Sequence, residues 1–240
     1  MIIVVGRGHS GTRAISQTLS ESGVFMGAPL NSSADLVPPG PMYDACRIFA
    51  RHVEQVGELT WSWDAGLQAE IPTGFIALIG QYLASVHASL APVKGFKIPE
   101  TVLCLPWVVR LFPDAKYIFW IRDPRDCVIG EHLTDDLSFF GIPCAIETNE
   151  RRRRAISWKY QHDLVQATPK PIHWIEVRFE DFILQQRDTL DRLEDFLKLP
   201  LATIAVDPDT VGRWRNDGGD NNFDFLLSAM RRYGYTGHGE

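Results

Sequence analysis

The sequence predicts an α/β fold in which a central parallel sheet is flanked by helices. Two largely apolar runs, residues 2–5 and 115–121, are rich in β-branched and aromatic side chains and have the composition of strands buried on both faces of a sheet. Apolar residues that recur three and four positions apart elsewhere in the chain indicate amphipathic helices. Strands that alternate with helices form parallel sheets, and such sheets bind ligands at the carboxyl ends of their strands.

The same patterns give the order of the elements. In chain order, the predicted strands are residues 2–5, 24–26, 93–98, 115–121 and 172–177. The predicted helices run from residue 12 to Gly23 and over residues 43–53, 75–86, 102–112, 150–164 and 190–197, and another helical region begins at residue 178. Residues 27–42 are rich in proline, which predicts a loop that serves as a lid or a substrate wall.

Length and composition predict one globular domain over residues 1–240. The chain is 45% apolar and 22% charged, and its net charge of −6 argues against a general nucleic-acid binder, although a local basic cleft is compatible with it. The cysteines form no CxxC pair, so neither a disulfide framework nor a zinc ribbon is indicated. No apolar run approaches the ~18 residues of a membrane span. We therefore expect a cytoplasmic protein without a membrane partner.

The first strand leads into a glycine-rich loop that suits an anion. Gly6, Gly8 and Gly11 allow positive φ angles and present bare backbone N–H groups. Ser10 or Thr12 can cap the helix that follows. Unpaired amides and the positive end of the helix dipole then point the same way, which predicts an anion site. The alternative is an ordinary strand–helix turn that binds no ligand.

The loop has the G-x-x-x-x-G spacing of a nucleoside triphosphatase but lacks its catalytic residues. Such an enzyme needs lysine and then serine or threonine after the last glycine, whereas Thr12 and Arg13 follow Gly11 here. The lysine that would reach the β and γ phosphates is absent from that position, and so is the hydroxyl that would bind magnesium. The sequence supports a phosphate cradle and not metal-assisted ATP chemistry.

A second anion site is predicted where the strand at residues 115–121 ends. Arg122 comes directly after this strand and before a proline turn, where a guanidinium can hold a fixed anion at the edge of the sheet. The alternative is that Arg122 or Arg125 simply pairs with Asp123 or Asp126. The sequence leaves both possibilities open.

Together, these two stretches resemble the sulfotransferases that use 3′-phosphoadenosine 5′-phosphosulfate (PAPS). Residues 8–13, Gly-His-Ser-Gly-Thr-Arg, are similar to the P-K/R-S-G-T-T loop that holds the 5′-phosphosulfate in that family. Residues 122–126, Arg-Asp-Pro-Arg-Asp, are similar to the R-D/N-P-R/K-D motif that holds the 3′-phosphate. Three further segments resemble motifs of bacterial members in the family's order: the K-x-P-x-T … F-P-D-A run (residues 97–101 and 111–115), V-R-Y-E-D-L (177–181) and G-x-W-K/R (212–215).

The resemblance implies a P-loop-like sulfotransferase fold and a set of nucleotide-binding residues. Two members of this set depart from the family pattern. His9 stands where lysine or arginine is usual. Either a protonated His9 supplies the positive charge, which would make the site sensitive to pH, or another base such as Arg7 or Arg13 supplies it. Gly130 stands where many members have a phosphate-binding serine. The implied set is Arg7, Gly8, His9, Ser10, Gly11, Thr12, Arg13, Arg122, Gly130, Arg213 and Arg215.

The resemblance also implies sulfuryl transfer from PAPS, with no metal, to a hydroxyl or amine. Donors to the leaving oxygen would be His9, Lys97 and the loop amides. Asp44 is the first choice for the general base, because residues 42–44 resemble the aromatic–acid step that follows the lid in bacterial members. Glu100 and His132 are the other candidates. Asp44 could instead only start a helix, Glu100 could pair with Lys97, and His132 could be a surface or core histidine.

The acceptor is expected to be a small molecule or a carbohydrate, and the sequence does not say which. The aromatic residues Trp61, Trp63, Phe139 and Phe140 can line an acceptor pocket or pack in the core. Two other functions stay open: a phosphotransferase of the nucleotide-kinase type, and a protein of this fold that binds a nucleotide without catalysis. The oligomeric state is equally open.

Overall fold

The computed structural model describes residues 1–235 and contains a central sheet of four parallel strands. The strands of the described residues are β1 (Ile2–Val5), β2 (Glu54–Gly57), β3 (Thr60–Ser62), β4 (Gly95–Lys97), β5 (Lys116–Ile121) and β6 (Trp174–Arg178). The sheet has the order β4-β1-β5-β6 and every neighbouring pair is parallel. The predicted α/β fold class with a parallel sheet is confirmed.

Helices cover both faces of this sheet. In chain order they are α1 (Thr12–Glu21), α2 (Gly40–Ala50), α3 (Asp64–Gln68), α4 (Thr73–Tyr82), α5 (Ala84–Ala88), α6 (Leu105–Leu111), α7 (Pro124–Cys127), α8 (Glu150–Ala167), α9 (Phe179–Leu184), α10 (Gln186–Leu197) and α11 (Leu227–Arg232). Within residues 1–235, no helix is long and apolar enough to cross a membrane.

The central strands alternate their side chains between two apolar clusters. Ile3 and Tyr117 contribute to the larger cluster, whereas Val4 and Trp120 contribute to the smaller one, which is packed against α1, α9 and α10. All four of these residues have no exposed surface. Burial on both faces explains why β1 and β5 read as unbroken apolar runs.

Several predicted elements differ in extent from the observed ones. Residues 24–26 form only an isolated bridge, between Phe25 and Lys94, and not a strand. The helix predicted at residues 75–86 is divided between α4 and α5 at Leu83. The helix predicted at residues 102–112 is a 3₁₀ helix, Pro99–Cys104, followed by α6, because Pro106 suits the first turn of a new helix and not the middle of a long one.

The segment after α2 also differs from the prediction, since β2 and β3 pair as an antiparallel hairpin. Trp61 and Trp63 belong to the core, with 4% and 8% of their surface exposed, and both contact the ring of Tyr160. Phe140 is fully buried, whereas Phe139 is 40% exposed. Core packing is therefore the role of three of the four aromatic residues considered for the acceptor pocket, and only Phe139 offers surface.

Candidate active site

The loop after β1 takes the tight course that its glycines predict. His9 and Gly11 have φ angles of 58° and 81°, both in the left-handed region. A Cβ atom on Gly11 would lie 2.4 Å from the ring of Phe179, so the loop and α9 can approach this closely only with glycine at this position. Neither Ser10 nor Thr12 caps α1 with its side chain, because Ser10 Oγ donates to the carbonyl of Arg7 instead. The amides at the start of α1 are therefore left for another acceptor.

Two adjoining cavities open on either side of this loop and share Gly11, Arg13 and Arg122. The first, here the loop cavity, has a volume of about 320 Å³ and is also lined by Gly8, His9, Thr12, Ser33, Asp35, Lys97, Pro99 and His132. The second, here the arginine cavity, has about 330 Å³ and is also lined by Ala14, Gln17, Phe179, Ile183, Ile204, Ala205, Val206, Asp207, Thr210 and Arg213. Together they have the size of a nucleotide site, and they lie at the carboxyl ends of β1, β4 and β5.

Arg122 lines both cavities but is largely engaged by the protein itself. Its guanidinium donates to Asp126 Oδ2 at 3.1 Å, to the carbonyl of His9 at 3.3 Å and to the carbonyl of Thr210. Its Nε is buried without a partner among the described residues. The two possibilities that the sequence left open for Arg122 thus coexist: it pairs with a carboxylate and also faces the cavities.

The carboxylate of Asp126 has no exposed surface and joins three segments. Besides Arg122, it accepts the amide of Gly212 at 2.8 Å and the amide of Trp214 at 3.0 Å. Arg125 pairs with Asp123 at 2.7 Å, as the alternative reading of this motif proposed. The second aspartate of the motif therefore fastens the chain around residue 212 against the start of α7.

Arg13 and Arg213 differ from Arg122 in having no hydrogen bond or ion pair within residues 1–235. Arg13 lines both cavities and Arg213 lines the arginine cavity. Both are surface residues that keep their donors available, which suits an anionic ligand.

Two other arginines of the predicted nucleotide-binding set lie outside the two cavities. Arg7 is buried beneath the loop, where it pairs with Asp135 and donates to the carbonyl of Gly8 at 2.8 Å. Because Arg7 is paired with Asp135 beneath the loop, it does not supply the positive charge that is missing at position 9 in the loop cavity. Arg215 lies against the ring of Trp214, with its carbon Cζ 5.1 Å from the ring centroid.

Lys97 is placed in the loop cavity, as predicted, and only 2% of it is exposed. Its ammonium donates to the carbonyl of Ser33 at 2.6 Å and pairs with Asp35. Burial lowers the pKa of Lys97, and the charge of Asp35 opposes this shift. Asp35 was not among the predicted site residues, and its signal in the sequence is that it is the lone carboxylate of the proline-rich loop, residues 27–42.

Glu100 does not form the predicted pair with Lys97, whose partner is Asp35. It lies in the 3₁₀ helix after β4, is 2% exposed and directly follows Pro99 of the loop cavity. Burial raises the pKa of Glu100 to about 7. A carboxyl with this pKa can accept a proton near neutral pH.

Asp44, the first choice for the base, is placed away from both cavities. Its side chain is 58% exposed and pairs with Arg47 at 2.7 Å on the surface of α2. It is the fifth residue of α2, which begins at Gly40 because Pro41 is compatible with a first helical turn, so Asp44 does not start the helix either. This ion pair on the surface of α2 does not direct Asp44 at either cavity.

His9 and His132 meet at the mouth of the loop cavity, with ring centroids 6.0 Å apart. Nε2 of His9 contacts the carbonyl of Glu131, while Nδ1 of His132 accepts the amide of Thr134 at 3.2 Å. A Cβ atom on Gly130 would lie 2.8 Å from the imidazole of His9. Gly130 thus provides the space that His9 occupies and has no ligand contact of its own.

We expect Glu100→Gln to stabilise the protein at alkaline pH and to have little effect at acidic pH. Burial raises the pKa of Glu100 from 4.5 to about 7, so the folded chain holds this proton more tightly than the unfolded chain does. The resulting stability is complete below the unfolded pKa and is lost as the pH rises through the folded pKa. Relative to the wild type, the variant should gain ~3 kcal/mol in the free energy of unfolding above the folded pKa.

Urea unfolding of both proteins at about pH 5 and about pH 8.5 measures this difference. A change in stability that is equal at the two pH values would show that the carboxyl of Glu100 is not perturbed by burial.

Comparison with known proteins assigns a family to this arrangement. The family described as "Sulfotransferase family" matches residues 2–203. The chain belongs to the sulfotransferase family. The match spans β1, the glycine loop, β5 with Arg122, and the segment from β6 to α10.

Curated relatives of this sulfotransferase are named for protein-tyrosine sulfation. A Caenorhabditis elegans protein named "Putative protein-tyrosine sulfotransferase" is 27% identical over 152 residues, which cover 59% of this chain and 54% of that protein. The "Protein-tyrosine sulfotransferase" of Drosophila melanogaster is 22% identical over 140 residues, which cover 57% of this chain and 27% of that protein. The chain spans about half the length of the first of these relatives.

Solved structures of sulfotransferase domains share the fold. The sulfotransferase domain from the curacin biosynthetic pathway has a TM-score of 0.62 at 15% identity, with 98% of each chain covered. The sulfotransferase domain from the olefin synthase of Synechococcus PCC 7002 has a TM-score of 0.60 at 14% identity, covering 98% of this chain and 94% of that chain. The sulfotransferase fold that the sequence motifs implied is confirmed.

Proposed function

We propose that this sulfotransferase transfers a sulfuryl group from PAPS to a hydroxyl or amine of a small molecule or carbohydrate. The observation that carries the proposal is that the loop cavity and the arginine cavity adjoin and share Gly11, Arg13 and Arg122. One adenosine nucleotide with phosphate groups at both ends can therefore reach the glycine loop and the unpaired arginines at once. The hydrogen-bond donors that line the cavities without a protein acceptor are loop amides and guanidinium groups, and such donors suit an anionic ligand.

The arrangement divides the work between the two cavities. The amides of Gly11 and Thr12, with the side chain of Arg13, would hold the phosphosulfate end. Arg213 and the remaining donors of Arg122 would hold the other phosphate. Phe179 lines the arginine cavity with Ile204 and Val206, and this apolar surface suits an adenine ring.

In the transfer itself, the acceptor oxygen or nitrogen bonds to sulfur while the bond from sulfur to the bridging oxygen breaks, so that adenosine 3′,5′-bisphosphate leaves. The ammonium of Lys97 and the loop amides stabilise charge that develops on the leaving oxygen. Glu100 replaces Asp44 as our candidate for the base that takes the acceptor proton, because its pKa is raised to about 7 and it directly follows Pro99, which lines the loop cavity. No cluster of three or more His, Cys, Asp or Glu side chains in residues 1–235 is arranged for a metal ion.

Two further expectations complete the proposal. We propose that residues 1–240 form a single domain, since the strands from both halves of the sequence belong to one sheet. The cytoplasm remains the compartment we propose, from the cysteine pattern of the sequence.

The proposed function predicts tight binding of adenosine 3′,5′-bisphosphate without magnesium. Isothermal titration of the full chain with the bisphosphate, and separately with ATP and magnesium, measures this preference. The expected result is a bisphosphate affinity that is unchanged by EDTA and exceeds the affinity for ATP. Magnesium-dependent ATP binding without bisphosphate binding would favour a nucleotide kinase. Bisphosphate binding with no PAPS turnover against a broad set of hydroxyl and amine acceptors would favour a catalytically silent binding protein.

A further inference from the structure

His132 lies opposite the glycine loop, and the sulfotransferase motifs of this chain assign it no role. Its ring lines the loop cavity together with His9 and Lys97. A Cβ atom on Gly8 would lie 2.1 Å from this ring, so the imidazole rests directly on the loop backbone. This places His132 at the part of the cavity where the phosphosulfate end of the donor is proposed to bind.

We propose that His132 is a catalytic hydrogen-bond donor, which presents Nε2–H to the sulfuryl oxygens as the sulfur–oxygen bond breaks. The inference deepens the proposed function and rests on it. His132 keeps its proton during the transfer. It stabilises the negative charge on the sulfuryl oxygens and takes no part in the proton transfer from the acceptor to the base.

The position of the proton follows from the hydrogen bonds of the ring. Two groups of Thr134 contact Nδ1 of His132: the backbone amide at 3.2 Å and the hydroxyl Oγ1 at 3.0 Å. The amide can only donate and the hydroxyl can donate as well, so Nδ1 accepts from Thr134. In a neutral imidazole the hydrogen is then on Nε2. Nε2 makes no hydrogen bond to any residue that the structure describes, and His132 lines the loop cavity, so this donor is available to a ligand there.

The backbone around His132 keeps the ring in this orientation. The amide of His132 donates to Asp135 Oδ2 at 2.8 Å, and Asp135 is held in turn by the buried guanidinium of Arg7. Asp135 and Thr134 are 2% and 0% exposed. Arg7, which does not reach the loop cavity itself, thus acts on it by positioning His132.

His132 also stays neutral, as a donor of this kind must. Burial, with the nearby cations Arg7, His9 and Lys97, lowers the pKa of His132 to about 3. Asp135, which accepts the backbone amide of His132, is itself paired with Arg7. A base that works at neutral pH cannot have this pKa, so His132 is excluded as the general base and retained as a donor.

His9 cannot take the same role, although it occupies the position of the family's lysine or arginine. Its Nε2 contacts the carbonyl of Glu131, and an oxygen there requires the hydrogen on that nitrogen. Burial lowers the pKa of His9, which leaves Nδ1 as an acceptor. A side chain on Gly130 would collide with this imidazole. The two departures from the family pattern, His9 and Gly130, are therefore linked. Glycine at position 130 leaves room for the imidazole of His9, and His132 supplies the hydrogen-bond donor.

Two substitutions of His132 distinguish the roles of its two ring nitrogens, Nδ1 and Nε2. His132→Asn keeps an acceptor near Nδ1 for the amide of Thr134 but removes the donor, whereas His132→Gln can place a carboxamide N–H near the position of Nε2. With release of adenosine 3′,5′-bisphosphate from PAPS in water as the assay, we expect His132→Asn to lower the rate roughly 10²–10³-fold. We expect His132→Gln to recover part of this loss. His87→Asn, an exposed histidine of α5, is the control and should leave the rate unchanged.

Three readouts distinguish a donor from other roles. The affinity of His132→Asn for the bisphosphate should equal that of the wild type. Its rate should be lower at every pH, and the rise of the rate at acidic pH should be retained, whereas removal of a general base would abolish that rise. Equal rates in His132→Asn and the wild type would overturn the proposal and leave the proposed function standing. A wild type that neither binds the bisphosphate nor consumes PAPS would instead overturn the proposed function.

A measurement that needs no turnover tests the tautomer itself. The ¹⁵N chemical shifts of the imidazole of His132, assigned with His132→Gln, should show hydrogen on Nε2 and not on Nδ1 throughout the neutral pH range. Hydrogen on Nδ1, or an imidazolium in this range, would overturn the inference.

Discussion

Replacing Asp126 with alanine should lower the free energy of unfolding by about 3–5 kcal/mol, because it breaks a buried ion pair from one side. The guanidinium of Arg122 would keep its charge at 5% exposure without its carboxylate, and the amides of Gly212 and Trp214 would lose their acceptor. Urea unfolding followed by circular dichroism measures the change.

Asp195→Ala is the matched control, since Asp195 forms an ion pair with Lys198 at 2.6 Å in which the two side chains are 82% and 72% exposed. Exposed pairs of this kind contribute little, so its unfolding curve should match that of the wild type. Equal destabilisation by the two substitutions would contradict the role assigned to Asp126.

The second large effect is expected for nucleotide affinity when Arg13 and Arg213 are replaced. Both guanidinium groups face the cavities without a partner among the described residues, so Arg13→Ala and Arg213→Ala remove ligand contacts and break no bond within the protein. A hydrogen bond to a charged group contributes about 1.5–3 kcal/mol, which corresponds to a roughly 10- to 150-fold weaker affinity for adenosine 3′,5′-bisphosphate per substitution. The dissociation constant should also become less sensitive to salt.

Arg192→Ala is the control for this pair of substitutions, because Arg192 is an exposed arginine of α10 that lines neither cavity and whose guanidinium donates to the carbonyl of Glu176 at 3.4 Å. Its affinity should equal that of the wild type. Arg122→Ala offers a contrast, since it should reduce both affinity and stability. A double variant of Arg13 and Arg213 that binds the bisphosphate as the wild type does would remove these two residues from the site.

The strands that the sequence predicted best are those buried on both faces. β1 and β5 are the two central strands, so each is covered by helices above and below, and apart from Lys116 at the start of β5 their side chains are buried and contribute to the two apolar clusters. β4 is the edge strand of the four-stranded sheet and is shorter than the run at residues 93–98, whose side away from β1 makes only an isolated bridge, between Lys94 and Phe25. The hairpin of β2 and β3 was missed because most of its residues are exposed, so it carries no apolar alternation.

The sequence indicated where the candidate site lies better than it indicated which side chains form ion pairs there. Local spacing indicated the loop and Arg122, whose positions follow from strand ends. It could not indicate that Lys97 pairs with Asp35, or that Arg7 pairs with Asp135 below the loop, because both pairs join residues more than sixty positions apart. Asp44 was chosen by resemblance to a short motif, which carries no information on how deeply a side chain is buried.

The closing segment around residues 204–214 has a practical consequence for anyone who shortens this protein. The family match ends at residue 203, yet Thr210 and Arg213 wall the arginine cavity and Gly212 is bonded to Asp126. A chain trimmed to the matched residues would keep the six strands of residues 1–235 and the glycine loop, but the arginine cavity would lose part of its wall. Asp126 would keep its pair with Arg122 and lose the amides of Gly212 and Trp214. Expression boundaries should therefore be set beyond the last residue that sequence similarity marks.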